Sequence, residues 1–205
     1  MRTKRSFMLW MLPLVPALIF PGIGVLGTLS LVLVVLLFVK ESRGPTLALS
    51  DSRWVRLAFV GVMFGLIVAV AFDFIVEPVV ERVTGQEIVL EGLGEIEGDL
   101  LRYLLLLAVG LLFGGLVEEL LFRGFVIGWG THLFGSRWGI WLALVSALVF
   151  GLSHLYQNIA GVITTGLGGL LLGLLYLRMG RKLLAPIAAH MTINAYGITL
   201  LYLGR

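Results

Sequence analysis

Residues 104–123, LLLLAVGLLFGGLVEELLFR, place two adjacent glutamates and an arginine inside an otherwise apolar run. A carboxylate in hydrocarbon costs about 2.5–3.5 kcal/mol on insertion scales. A chain therefore keeps Glu118 and Glu119 at such a depth only if both side chains face a protein interior or a water-filled cavity. Because ionisable side chains inside apolar spans mark functional sites, this pair is the first candidate site.

The composition favours a lipid environment. Of 205 residues, 59% are hydrophobic and 13% are charged, whereas soluble domains are about 45–50% apolar and about 25% charged. The net charge of +3 comes from basic residues at the ends of apolar runs, where they act as topology determinants. We therefore expect a lipid bilayer as partner and no nucleic acid. The chain has no cysteine, which excludes disulfides, thiolate metal sites and cysteine nucleophiles.

The hydropathy pattern predicts an all-α fold, a polytopic transmembrane helical bundle with seven to eight membrane segments. We expect one membrane-embedded domain, residues 1–205, with N-terminal spans and an acidic loop in 1–99 and the core spans in 100–205. Prolines interrupt the run 7–39, which predicts two short helices or a re-entrant hairpin. The remaining segments are predicted as a basic loop at 40–56, a span at 57–76, an acidic connection at 73–99, and spans at 100–133, 138–155, 159–177 and 183–203.

Two further patterns concern the arrangement of these spans. Lysines and arginines at the N-terminus, in 40–56 and in 178–182 predict that these ends are cytoplasmic. Pairs of glycines four residues apart, such as Gly61/Gly65 and Gly110/Gly114, predict close helix packing.

Three polar clusters lie within the apolar spans, and the double glutamate is the first. Glu119 and Arg123 are four residues apart, share a helix face and can form an ion pair. Glu118 points about 100° away from Glu119 on a helix of 3.6 residues per turn and is left free for chemistry. A purely structural buried ion pair is an equally good interpretation of Glu119 and Arg123.

The second and third clusters each pair two residues one helical turn apart. Phe150 precedes His154, and His190 precedes Asn194, so each pair shares a helix face. Taken singly, His154 is typical of a helix end and the His190 pair of interhelical hydrogen bonding. Taken together, the three clusters hold nearly all strongly polar groups of the last four spans, which favours one shared cavity.

Such a cavity would support hydrolysis. A carboxylate in a low-dielectric site, helped by an imidazole, can act as general base toward water. A second imidazole and a carboxamide can donate to an oxyanion. This chemistry needs no cofactor. Alternatively, Glu118, His154 and His190 could bind a divalent metal such as zinc, which would activate the water.

The three clusters, in order and spacing, resemble the motifs EExxxR, FxxxH and HxxxN of the CAAX-protease and bacteriocin-processing family of intramembrane proteases, also called CPBP or Abi. The similarity covers about residues 100–200 and includes the local sequences EELLFRG, FGLSH and APIAAH. The signatures of other intramembrane proteases, HExxH, GxSG and GxGD, do not occur in the sequence.

The resemblance implies an intramembrane endopeptidase whose substrates are membrane-associated peptides or proteins, prenylated ones among them. It also implies an integral, multi-pass protein of a prokaryotic cell membrane. The family has been described both as metalloproteases and as glutamate-dependent. The implied roles are a water-activating base, Glu118, helped by His154; an oxyanion site, His190 and Asn194; and supporting residues, Glu119, Arg123 and Phe150.

Two alternatives stay open. The chain could be a catalytically silent membrane scaffold or bacteriocin-immunity factor, or a small ion- or proton-coupled transporter that uses the same side chains as a relay. One geometric requirement also follows from the sequence. Straight helices would place His154 and His190 about 14 Å apart in depth, so a shared cavity requires a tilted, shifted or broken helix, or a sunken turn at 156–158.

Overall fold

The computed structural model describes residues 2–89 and 96–204, and within these ranges the chain is helical with no β-strand. This confirms the all-α, polytopic fold class. The described residues contain four helical segments long and apolar enough to cross a membrane, and three shorter apolar helices. The long segments are Trp54–Thr84, Leu100–Phe134, Leu155–Arg178 and Leu184–Tyr202, and the shorter ones are Arg5–Ile19, Gly24–Phe38 and Ser136–Leu152.

The N-terminal run forms a helical hairpin, as the prolines predicted. Helix α1, Arg2–Met11, continues through a 3₁₀ turn, Leu12–Leu14, into α2, Val15–Ile19; the chain then reverses into α3, Gly24–Phe38. The reversal uses Gly22 at φ +82°, a conformation that only glycine adopts without strain. A side chain at Gly24 would overlap the carbonyl of Pro16, so the two arms pack backbone to backbone.

The second part of the chain differs from the sequence prediction at two points. The predicted basic loop contains a short helix, α4, Lys40–Thr46, because Gly124 and Gly128 let its backbone pack against the long helix. The predicted span 57–76 belongs to a longer rod made of α5, Trp54–Ala71, a π-helical turn, Phe72–Val76, and α6, Glu77–Thr84.

The acidic connection is therefore partly helical. Asp73, Glu77 and Glu81 lie on this rod. Helix α6 has one apolar face and one polar face, and it ends at Gly85, which adopts the left-handed conformation. Glu91 and Glu95, also part of the predicted acidic stretch, lie outside the described residues.

The segment that carries the double glutamate is one long, unusually wound helix. It begins as α7, Leu100–Val109, with the Asp99 side chain capping the Arg102 N–H at 3.0 Å. It continues through two π-helical stretches, Gly110–Glu118 and Leu120–Trp129, and ends as α8, Gly130–Phe134. π-Helical winding uses i→i+5 hydrogen bonds and is frequent at functional sites. The apolar spacing of the sequence did not predict it.

Three helices complete the bundle: α9, Gly139–Leu152, α10, Asn158–Arg178, and α11, Leu184–Tyr202. Glycines allow their close approach, as the small-residue pairs predicted. Side chains at Gly61 and Gly65 of α5 would overlap the carbonyls of Ala185 and Ala189 on α11. Helix α11 thus lies in direct contact with α5 on one side and, through Gly114 and Gly115, with the π-helical stretch on the other.

Candidate active site

A buried ion pair forms the base of the site. Nη1 of Arg123 donates to Oε1 of Glu119 at 2.7 Å, and both side chains are fully buried. Nη2 of Arg123 donates to the carbonyl of Gly169 on α10 at 2.8 Å, and the guanidinium lies 5.0 Å from the ring centroid of Phe150. The pair that the four-residue spacing predicted is therefore present, and it connects the long helix to α9 and α10.

The imidazole of His190 lies between the two glutamates. Its Nδ1 is 2.7 Å from Oε1 of Glu119, and its Nε2 is 3.9 Å from Oε2 of Glu118. Because a carboxylate can only accept a hydrogen bond, Nδ1 carries the proton. Glu118 keeps 17% of its side chain exposed, whereas Glu119 is fully buried. The two adjacent acids thus have different surroundings.

His154 completes the group from the end of α9. Its Nδ1 is 2.8 Å from the carbonyl oxygen of Phe150 and 3.3 Å from the hydroxyl of Ser153. Since a carbonyl oxygen only accepts, Nδ1 is protonated, and Nε2 of the neutral ring is left with its lone pair. The Phe150 ring separates the two imidazoles, with centroids 4.7 Å from His154 and 6.0 Å from His190.

The depth difference expected for straight helices does not keep the two imidazoles apart, because both pack against the ring of Phe150. Helix α9 ends at Leu152, and His154 lies in the turn before Leu155–Gln157. The N-terminal hairpin contacts this turn, because the Gly22 N–H donates to the Ser153 carbonyl at 2.7 Å.

Asn194 reaches the same region from α11. Its Nδ2 donates to the carbonyl of Gly110 at 2.9 Å, which leaves the second N–H of the carboxamide for another acceptor. A side chain at Gly114 would overlap Nδ2 of Asn194 and would lie 3.8 Å from Nε2 of His190. Gly114 therefore leaves open the space that both nitrogens face. The sequence indicated only helix packing for this glycine.

A second polar group adjoins Asn194. A cavity of about 430 Å³ between α5 and α11 is lined by residues that include Asp73, Glu77, Asn194 and Tyr196. The Tyr196 hydroxyl donates to Oδ2 of Asp73 at 2.7 Å. The sequence placed Asp73 at the start of the acidic connection and gave no signal that this acid lies next to the third cluster.

The metal alternative finds no preformed site. Within 2–89 and 96–204, no three histidine, aspartate or glutamate side chains are grouped as metal ligands. Of the three candidate ligands, His190 already uses Nδ1 for Glu119, and its Nε2 stands 3.9 Å from Glu118. The contact with Glu119 leaves Nε2 of His190 as a ligand atom, so a metal site at Glu118, His154 and His190 stays a prediction.

The fold and this cluster define an integral, polytopic membrane protein with acids, imidazoles and a carboxamide gathered between its helices. Residues 100–196 match the family model of the Rce1-like proteins, described as type II CAAX prenyl endopeptidase Rce1-like. The match confirms the resemblance to the CAAX-protease family of intramembrane endopeptidases that the three motifs indicated, and it spans every candidate site residue. No curated protein and no solved structure matches the chain.

Proposed function

We propose that this protein hydrolyses peptide bonds of membrane-associated protein substrates, prenylated ones among them, with a water molecule activated by Glu118. The observation that carries the proposal is the position of His190, whose two ring nitrogens face the two adjacent glutamates. In this arrangement Glu119 holds the imidazole, whereas Glu118 stays partly exposed.

Glu118 is the general base of the proposed reaction. The 3.9 Å between its Oε2 and Nε2 of His190 is too long for a direct hydrogen bond, but it is a separation that one oxygen atom of water or substrate can bridge. His154 assists, because its Nε2 lone pair can accept a hydrogen bond from the same water. Glu118 takes one proton from the water as the oxygen attacks the carbonyl carbon of the substrate.

His190 and Asn194 stabilise the oxyanion that this attack creates. With Nδ1 bound to Glu119, Nε2 takes a proton from solvent before the attack and keeps it through the cycle, and the Glu119 carboxylate stabilises the resulting imidazolium. This Nε2–H and the free N–H of Asn194 can then donate to the same oxyanion across the space at Gly114. When the C–N bond breaks, the leaving amine takes the proton from Glu118, and the base is restored.

The cavity beside Asn194 offers a route for water to this site. Asp73 and Glu77, in the middle of the α5–α6 rod, are its acidic lining residues. A substrate segment that enters between α5 and α11 would meet Asn194 first.

The test is a peptidase assay with purified protein in lipid nanodiscs, on a quenched fluorescent peptide that carries a prenylated cysteine. Glu118→Gln should abolish cleavage, while Glu87→Gln, an exposed glutamate on a loop, should cleave as the original chain does. Cleavage that survives Glu118→Gln would overturn the proposed base.

The purified protein also distinguishes the proposed peptidase from the two alternative functions, a transporter and a scaffold or immunity factor. Ion or solute flux in liposomes without peptidase activity would favour the transporter. A biological activity that persists unchanged in the Glu118→Gln and His190→Gln variants would favour the scaffold or immunity factor.

A further inference from the structure

A polar cavity of about 430 Å³ lies at the end of the bundle where α8 and α10 finish. It is formed by the turn after α8, the end of α10 and the loop that leads into α11. Arg181, Lys182 and His132 line it, and none of the described residues that line it is acidic. Thr131, Ser136 and Tyr176 line it as well.

The guanidinium of Arg181 is held in place over this cavity. Nη1 donates to the hydroxyl of Thr131 at 3.1 Å and lies 3.4 Å from that of Ser136. The backbone is held as well, because Arg181 has φ +60° and its N–H donates to the Tyr176 carbonyl at 2.9 Å. This hydrogen bond closes the C-terminal end of α10 and so fixes the position of Arg181. The hydroxyl groups of Thr131 and Ser136 carry no charge, so the positive charge of Arg181 is available to an anion.

A buried donor also faces the cavity. Tyr176 is fully buried, and its hydroxyl has no hydrogen-bond partner among the described residues. A buried hydroxyl without a partner is costly. An oxygen acceptor bound in the cavity would satisfy it.

The nearby acid does not cancel this charge. Asp51 interacts electrostatically with Lys182, but its carboxylate forms an ion pair with Arg53 at 2.7 Å. The hydrogen bonds from Arg53 lower the pKa of Asp51 to about 2. The carboxylate is thus ionised and engaged away from Arg181.

An apolar cleft of about 790 Å³ adjoins the same segment, 131–138. Leu133, Phe134 and Trp138 of this segment line the cleft together with α1 and α2. Trp138 is 44% exposed, and tryptophans concentrate at the membrane–water interface. A polar, cationic cavity and an apolar cleft on one segment at the interface match the two halves of a phospholipid.

We propose that this cavity binds the phosphate of an anionic phospholipid, with Arg181, Lys182 and Tyr176 as donors and one acyl chain in the cleft. Basic pockets between helices at the membrane surface bind such headgroups. The anionic lipid is preferred because a zwitterionic headgroup would bring its own cation toward Arg181 and Lys182.

The experiment measures lipid retention by native mass spectrometry of the full chain in detergent, titrated with phosphatidylglycerol or phosphatidylcholine. We expect selective binding of phosphatidylglycerol. Arg181→Gln and Tyr176→Phe should each weaken it about tenfold, as loss of a charge-assisted hydrogen bond would. Arg178→Gln is the matched control, because Arg178 is exposed at the end of the same helix and does not line the cavity. Tyr176→Phe preserves the packing, so its loss of binding is not a failure to fold.

Two results would overturn the proposal. One is equal binding of the two lipids, or equal loss in the Arg178→Gln control. The other is full displacement of the lipid by inorganic phosphate at the same concentration, which would assign the cavity to free phosphate. Because lipid retention is measured without a substrate, the result does not depend on whether the peptidase proposal holds.

Discussion

Nδ1 of His190 lies 2.7 Å from Oε1 of Glu119, the same oxygen that accepts a hydrogen bond from Arg123. One carboxylate oxygen therefore joins a buried arginine on the long helix to an imidazole on α11. The sequence allowed two interpretations of Glu119 and Arg123: a structural ion pair, or supporting residues of a site. The two are compatible. The same contact can stabilise the bundle and fix the orientation of His190.

Glu119→Gln should lower kcat with little change in KM. The amide can still accept a hydrogen bond from His190, but it no longer stabilises an imidazolium, so donation from Nε2 to the oxyanion is weakened. Loss of one oxyanion donor costs about 10²–10³ in kcat in other hydrolases. Steady-state kinetics in nanodiscs measure the two constants separately. A rise in KM with kcat unchanged would contradict this positioning role.

Arg123→Leu should destabilise the fold. Removing one partner of a buried ion pair costs about 3–5 kcal/mol, and here Glu119 and the Gly169 carbonyl both lose a donor. The free energy of unfolding can be followed in mixed micelles by titration with denaturing detergent. Arg102→Leu, at an exposed arginine near the start of the same helix, serves as the control, and an equal loss in both variants would contradict the expectation.

Gly114→Ala should reduce cleavage strongly without unfolding the protein. The added methyl group would overlap Nδ2 of Asn194 and would displace one of the two proposed oxyanion donors. Gly44→Ala on α4 is the matched control, because a side chain there meets nothing within 4 Å. Activity and melting temperature are measured on both variants. Full activity in Gly114→Ala would exclude Asn194 from the oxyanion site.

His154→Gln should lower kcat by about 10²–10⁴, the usual contribution of a general acid–base group. Ser153→Ala should retain most activity, because Nδ1 of His154 still faces the Phe150 carbonyl at 2.8 Å. The comparison of the two kcat values distinguishes a role of the imidazole from disturbance of the turn. Equal losses would show that the turn, and not the ring, is what matters.

Treatment with a chelator should leave peptidase activity unchanged. The expectation rests on the proposed base Glu118 and on geometry, since the described acids and histidines are not grouped as metal ligands. The assay is run after dialysis against EDTA and again after addition of Zn²⁺. Loss of activity that Zn²⁺ restores would assign Glu118, His154 and His190 to a metal site instead.

The sequence predicted well what depends on neighbours along the chain. Apolar runs of membrane length located the spans, prolines located the N-terminal hairpin, and a four-residue spacing predicted the Glu119–Arg123 pair. It was less accurate where tertiary packing decides local structure. Helix α4 forms in a stretch predicted as a loop because its backbone packs against Gly124 and Gly128. The π-helical winding around Glu118 has no signal in the residue spacing.

What the sequence alone determined is the membrane environment, the helical class and the set of polar residues that the apolar spans must bury, because each follows from hydrophobicity and local periodicity. Only the tertiary structure decided that His190 meets Glu119, 71 residues away, and that His190 and His154 pack against the same ring, that of Phe150. It alone placed Tyr176 beside a cationic cavity. Such contacts depend on where helices cross, and helix crossings are set by packing between distant surfaces, which no local pattern specifies.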